Sequence, residues 1–161
     1  MTLNSSAAIV IGIGNSFRSD DGAGIWVARR LRDQLQDTVS VLEATGEAGA
    51  LLEAWEGAAF VILVDAVRSG AAPGTIHRFD APAERVHSIS FPGSTHSLGV
   101  GEAIELARAL NRLPPHLIIY GIEGGNFGPG VEMSLAVARS AAEVAERILS
   151  EARSWATKVP I

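Results

Sequence analysis

Short, almost wholly apolar runs alternate along this chain with stretches of helical period, and that alternation leaves few architectures open. Ala7-Ala8-Ile9-Val10-Ile11-Gly12-Ile13 breaks off at Gly14-Asn15. Phe60-Val61-Ile62-Leu63-Val64 stops at Asp65, and Leu117-Ile118-Ile119-Tyr120-Gly121-Ile122 is a third run of the same kind. Apolar runs of this length bounded by turn residues suit strands covered on both faces. Val39-Ser40-Val41-Leu42 is a weaker strand, and Thr75 to Phe79 alternates polar and apolar residues as an edge strand does.

Between the runs the period lengthens. Ile25, Ala28, Leu31 and Leu35 share a helical face behind Asp20-Asp21-Gly22, where either aspartate is a ready N-cap. Val100, Ala103, Ile104, Ala107 and Leu110 form a second stripe, preceded by Thr95 and Ser97 and followed by Pro114-Pro115. Leu135, Ala138, Ala142, Ala145 and Leu149 form a third, with Glu143 and Arg147 placed for an i,i+4 pair. A short helix fits Gly49 to Trp55. Strands alternating with helices predict a three-layer α/β fold, a mainly parallel sheet with helices on both faces and an edge strand free to run antiparallel. At 161 residues, with no proline- or serine-rich linker and no internal repeat, residues 1–161 read as one domain.

Several classes fall away. No apolar stretch exceeds about seven residues, against the roughly 20 a membrane-spanning helix needs. Met1 to Ser6 lacks the basic start of a signal peptide. Zero cysteines exclude a disulfide framework, a thiolate metal site and a cysteine nucleophile. The expected setting is cytoplasmic. Thirteen basic residues stand against 18 acidic ones, for a net charge of −5, and the basic side chains form no stripe along which a phosphate backbone would run, so no nucleic acid partner is expected.

In open α/β sheets ligands bind beyond the carboxyl ends of the strands, near the point where strand order reverses. The segments to search are Gly14 to Asp21, Ala44 to Gly49, Asp65 to Gly70, and the loops around His96 and Glu123. Gly12-Ile13-Gly14-Asn15 is not a dinucleotide fingerprint: position 17 is Phe where the third glycine belongs, and the loop runs into two aspartates that would repel a pyrophosphate. The same start occurs in peptidyl-tRNA hydrolases, but the catalytic His expected after it is missing. There is no phosphate-binding Gly-x-x-x-x-Gly-Lys loop, no Gly-x-Ser-x-Gly elbow and no His-Glu-x-x-His.

Three residues draw attention. Asp21 is either a helix cap or a functional acid; two adjacent aspartates are one more than a cap requires, and Gly22 and Gly24 leave room for an approaching group. Asp65 is either a turn former or a functional carboxylate, and a carboxylate at the end of a buried strand is costly unless paired, hydrogen-bonded or metal-bound. His96 lies in Pro92-Gly93-Ser94-Thr95-His96-Ser97-Leu98-Gly99, a small-residue loop on the same expected sheet edge, whereas His77, His87 and His116 read as structural or solvated. Two carboxylates and an imidazole suit a divalent first-row metal, nickel included.

The opening strand with Gly12-x-Gly14-Asn15, then Asp20-Asp21-Gly22-x-Gly24, Thr45-Gly46 with Gly49, the strand ending in Asp65-Ala66, Pro73-Gly74-Thr75, Thr95-His96-x-Leu98-Gly99 and the strand Leu117 to Ile122 together resemble the nickel–iron hydrogenase maturation endopeptidases over most of the chain. That resemblance implies a twisted five-stranded sheet flanked by helices. It also implies removal of a short C-terminal extension from the hydrogenase large-subunit precursor once nickel has been inserted. Carried over residue by residue, the family's metal-contacting positions are Asp21, with Asp20 as the neighbouring alternative, Asp65 and His96. The nickel is the precursor's own, so no permanent cofactor is expected. Asp21, Asp65 and His96 would be both metal contacts and the catalytic set, with a metal activating water or an aspartate acting as base. Glu123 and the region Arg78 to Phe91 do not align. The expected partner is the precursor, with no membrane, and a monomer is favoured. Two rival readings remain: a non-catalytic binding protein for the metallated precursor, and a nucleotide-binding domain.

Overall fold

The computed structural model describes residues 7–35, 39–82 and 100–158. In chain order the elements are β1 (Ala8–Ile13), α1 (Ala23–Arg32), β2 (Val39–Ala44), α2 (Ala48–Ala54), β3 (Phe60–Val67), β4 (Ile76–Asp80), α3 (Val100–Ala109), β5 (His116–Glu123) and α4 (Leu135–Lys158). A 3-10 turn, Ser19–Gly22, leads into α1. The sheet has five strands in the order β2-β1-β3-β5-β4. Every pairing is parallel except β4 against β5. The mainly parallel sheet with one antiparallel edge strand is therefore present.

Period-two alternation along the central strands divides the core between the two faces. Val10, Ile62, Val64, Ile118, Tyr120 and Ile122 pack with α1 and α4. Ile11, Ile13, Val61, Leu63, Leu117 and Ile119 pack with α2 and α3. Each such side chain withdrawn from water contributes about 1.5–3 kcal/mol, so both helix layers are held by burial rather than by helix propensity. Trp55 and Tyr120 are the bulkiest fully buried side chains, one in each layer.

Two expectations change. The run ending at Val64 continues as strand through Asp65 to Val67, because β5 supplies parallel partners as far as Glu123. Asp65 is thus inside a strand and not a turn former. Neither aspartate caps α1: its N-cap position is Gly22, without a side-chain cap bond, and both aspartates lie in the 3-10 turn before it. The reason is crowding. A Cβ at Gly24 would stand 2.3 Å from both the Ile13 and the Val64 carbonyl oxygens, so α1 begins pressed against the ends of β1 and β3. The caps proposed at Thr95 and Ser97 lie outside the described residues.

Strand order fixes the place to look. From β1 the chain moves outward to β2, then returns across β1 to β3, so the order reverses between β1 and β3. The loop carrying Asp21 leaves β1, and Asp65 rides on β3.

Candidate active site

Gly14 turns the chain sharply at the end of β1. Its φ is +144°, and a Cβ there would stand 2.0 Å from the Asp21 carbonyl oxygen, so no side chain fits. The turn brings the Asp21 main-chain oxygen onto the Asn15 amide at 3.2 Å and the Asp21 amide onto the Arg18 carbonyl at 3.0 Å. Asp21 is thereby folded back over the sheet edge, 3% exposed, beside the equally buried Asp65.

These two carboxylates share an unusual state. Oδ1 of each is buried and, among the described residues, has no hydrogen-bond partner. Burial pushes Asp21 above its ordinary pKa, with the Arg18 charge and the Asn15 amide pulling the other way. Burial pushes Asp65 well above the carboxylate range, the Asp21 charge adds to the effect, and one amide, from Ala66, opposes it. A buried carboxylate oxygen without a partner is costly, and two such acids held side by side are suited to sharing a proton or a cation.

Asp20 is the opposite case. Its Oδ2 accepts from the Gly125 and Asn126 amides, both at 2.9 Å, and its Oδ1 from the Ser134 amide at 2.7 Å and the Ser134 hydroxyl at 3.0 Å. Burial works against its charge, but these donors outweigh burial and hold its pKa below the ordinary value. Asp20 ties the first loop to the loop after β5. Further bonds reinforce the tie, among them the Ser19 amide to the Gly130 carbonyl at 2.9 Å and the Ser19 hydroxyl to the Gly128 carbonyl at 2.9 Å.

Glu123, which the sequence left unplaced, ends β5 with 1% exposure. It accepts from the Ser69 amide at 2.8 Å and the Ser69 hydroxyl at 2.5 Å, and contacts His77 Nε2 at 3.2 Å. Burial opposes its charge and these partners outweigh it, so its pKa is lowered. Its main chain holds the same loop, taking the Gly74 amide at 2.7 Å and giving its own amide to the Thr75 carbonyl at 2.8 Å. Glu123 pairs across the sheet with Val67, two residues before Ser69, a proximity that only the β3–β5 register creates. His77 thus has a structural partner. His116, at the opposite end of the sheet, lies against the Trp155 and Phe60 rings.

The structure thus brings Asp21 and Asp65 together at the reversal point. His96 and His87 lie outside the described residues. Among the described residues no group of three His, Cys, Asp or Glu side chains is arranged to hold a metal. Two buried carboxylates with an orphaned oxygen each supply hard donors, a chemistry that fits a divalent ion presented from outside. No helix among the described residues is long and apolar enough to cross a membrane.

Known proteins resemble this chain in sequence and in fold. The HycI hydrogenase maturation protease family profile matches residues 25–151. The hydrogenase expression/formation protein HupD of Thiocapsa roseopersicina is 26% identical over 133 residues, covering 77% of this chain; the chain spans 60% of that relative's length. HupD of Bradyrhizobium diazoefficiens is 28% identical, covering 80% of this chain and 71% of the relative. The fold matches the hydrogenase maturating endopeptidase HybD from E. coli with a TM-score of 0.76 at 24% identity, over 92% of this chain and 93% of that one. It matches the nickel–iron hydrogenase maturation protease HybD from Thermococcus kodakarensis with a TM-score of 0.72 at 22% identity, over 91% and 99%.

Proposed function

Because this chain belongs to the hydrogenase maturation protease family, we propose that it is an endopeptidase that removes the C-terminal extension of a nickel–iron hydrogenase large-subunit precursor, and that it reads the precursor's own nickel. The observation that carries the reading is the pair Asp21 and Asp65, buried together at the strand-order reversal with one unsatisfied oxygen apiece.

In this reading the nickel belongs to the substrate. Asp21 and Asp65 offer their free oxygens to it, and His96 is the third ligand carried over from the family pattern. An acid pair with unsatisfied oxygens gains most from a cation that arrives already bound to the precursor, and a precursor lacking nickel brings no such gain. Docking therefore doubles as a check that metal insertion is complete. For the hydrolysis itself, Asp65 is the stronger candidate for general base, because one of its buried oxygens is left without a partner and burial favours its taking up a proton. Asp21 is raised by burial too, with the charge of the neighbouring Arg18 partly offsetting it. Asp20 and Glu123 have no free oxygen to give and act by holding the loops.

The test is mass spectrometry of nickel-loaded and nickel-free large-subunit precursor after incubation with the protein. Loss of a C-terminal peptide from the loaded sample alone, abolished by Asp65→Asn, is the expected result. Intact precursor that still forms a stable complex would replace the endopeptidase with a binding protein. Cleavage of both samples would remove the nickel check and keep the protease.

A further inference from the structure

Two arginines stand three residues from the two acids and meet the same residue, one at its main chain and one at its ring. Arg18 precedes Asp21 by three positions and Arg68 follows Asp65 by three. Arg18 Nε donates to the Phe127 carbonyl at 3.3 Å, and the Arg68 guanidinium lies 4.5 Å from the centre of the Phe127 ring. Phe127 is 8% exposed and is set in the loop that Asp20 fastens. Arg68 is exposed and Arg18 partly so.

Of the other described arginines, Arg29, Arg32, Arg78, Arg108, Arg112 and Arg147 each reach a glutamate, while Arg30 lies over the Trp26 ring and Arg139 and Arg153 form no ion pair among the described residues. What sets Arg18 and Arg68 apart is that they meet on Phe127 beside the two acids. Among the described residues Arg18 and Arg68 have no carboxylate within ion-pair distance, although the chain is acidic overall. One is steered by a carbonyl and the other by an aromatic face, contacts that occupy one nitrogen or one side of the plane and leave the forked donors available. A guanidinium presented in this way matches a carboxylate bidentately.

We propose that Arg18 and Arg68, gathered on Phe127, form a seat for a carboxylate of the substrate segment that is cut away, an inference that rests on the endopeptidase reading above. The carboxylate is either the chain terminus of the extension or an acidic side chain within it. Held there, it places the extension across the rim of the acid pair, with its anionic group on the arginines. The arginines position the segment; they take no part in bond cleavage.

The probes are three acetylated tetra-alanine peptides: one with a free C-terminus, one amidated, and one amidated with a single glutamate inside. Each is titrated at millimolar concentration into the isotope-labelled full chain, following the Nε–Hε resonances of Arg18 and Arg68, assigned through Arg18→Lys and Arg68→Lys. At least one anionic peptide should shift both resonances saturably, and Arg68→Gln should weaken its binding by about tenfold, as expected when one charge-assisted bond is lost. A response to the free terminus alone identifies the chain end, and a response to glutamate alone an acidic side chain; each upholds the seat. No shift with either anionic peptide, or an equal shift with the neutral one, overturns it. On the precursor, Arg68→Gln should raise KM with little change in kcat, and an unchanged KM counts against the seat. Arg68 is exposed, so its variant stays readable should Arg18→Gln disturb the loop. If the wild-type protein fails to cleave loaded precursor, the endopeptidase reading falls while the peptide titration still answers for the arginines.

Discussion

Four buried carboxylates crowd the carboxyl end of this sheet, and they divide by region. On the β5 side, Asp20 and Glu123 spend both oxygens on amides, hydroxyls and an imidazole, and both have lowered pKa values. On the β1 and β3 side, Asp21 and Asp65 each keep an oxygen with no partner among the described residues, and both are raised. All four are closed off from solvent, at 0% to 3% exposure. Donor supply separates the two sides, acids that build from acids left available, and desolvation adds to it, most strongly at Asp65.

The contrast breaks most visibly at the available pair. Asp65→Asn or Asp21→Asn should lower the rate of precursor cleavage by roughly 10²–10⁴-fold, the usual weight of a positioned acid or base. Thermal stability of Asp65→Asn at neutral pH should hold within about 1 kcal/mol or rise, since a costly buried charge is removed. A cleavage rate near that of wild type would place the chemistry elsewhere.

On the building side the effects reverse. Asp20→Ala leaves the amides of Gly125, Asn126 and Ser134 without their acceptor and should destabilise by about 3 kcal/mol in urea unfolding, because a buried network has lost its centre. Glu123→Gln should cost less, about 1–2 kcal/mol. Its sign with pH is fixed: the folded pKa lies below the ordinary 4.5, so the acid contributes stability above that value and loses it as pH falls through the folded pKa. The gap between wild type and Glu123→Gln should therefore be constant near neutrality and close in acid. Ser69→Ala removes one hydroxyl donor while keeping the amide, and should cost about 1 kcal/mol at neutral pH. Were it to match Glu123→Gln, the hydroxyl and not the amide would be the main support.

Much of the fold was legible because apolar runs and helical stripes are local signals. The three long runs and the alternating edge segment became β1, β3, β5 and β4, and the second stripe became α3. Tertiary contacts decided the rest. β3 runs past Asp65 only because β5 lies alongside to pair with it, and α4 extends well beyond Leu149 to Lys158. Asp21 and Asp65 stood out in the sequence, one in the loop after the first apolar run and one at the end of the second, yet nothing local distinguishes Asp20 from Asp21. Their roles separate only when Ser134 and the Gly125-Asn126 amides arrive from the far end of the chain. Arg68 and Phe127 carry no motif, and their meeting depends wholly on the loop after β5.

Asp20 bonds to Ser134 across 114 positions of sequence. During synthesis the ribosome therefore releases the two buried acids long before it releases the residues that brace their loop. A nascent chain holding β1, β3 and their aspartates has the reagents without the clamp. Assembly of this sheet edge is in this sense a late event in the life of each molecule, complete only once all five strands and the loop after the last of them have been made.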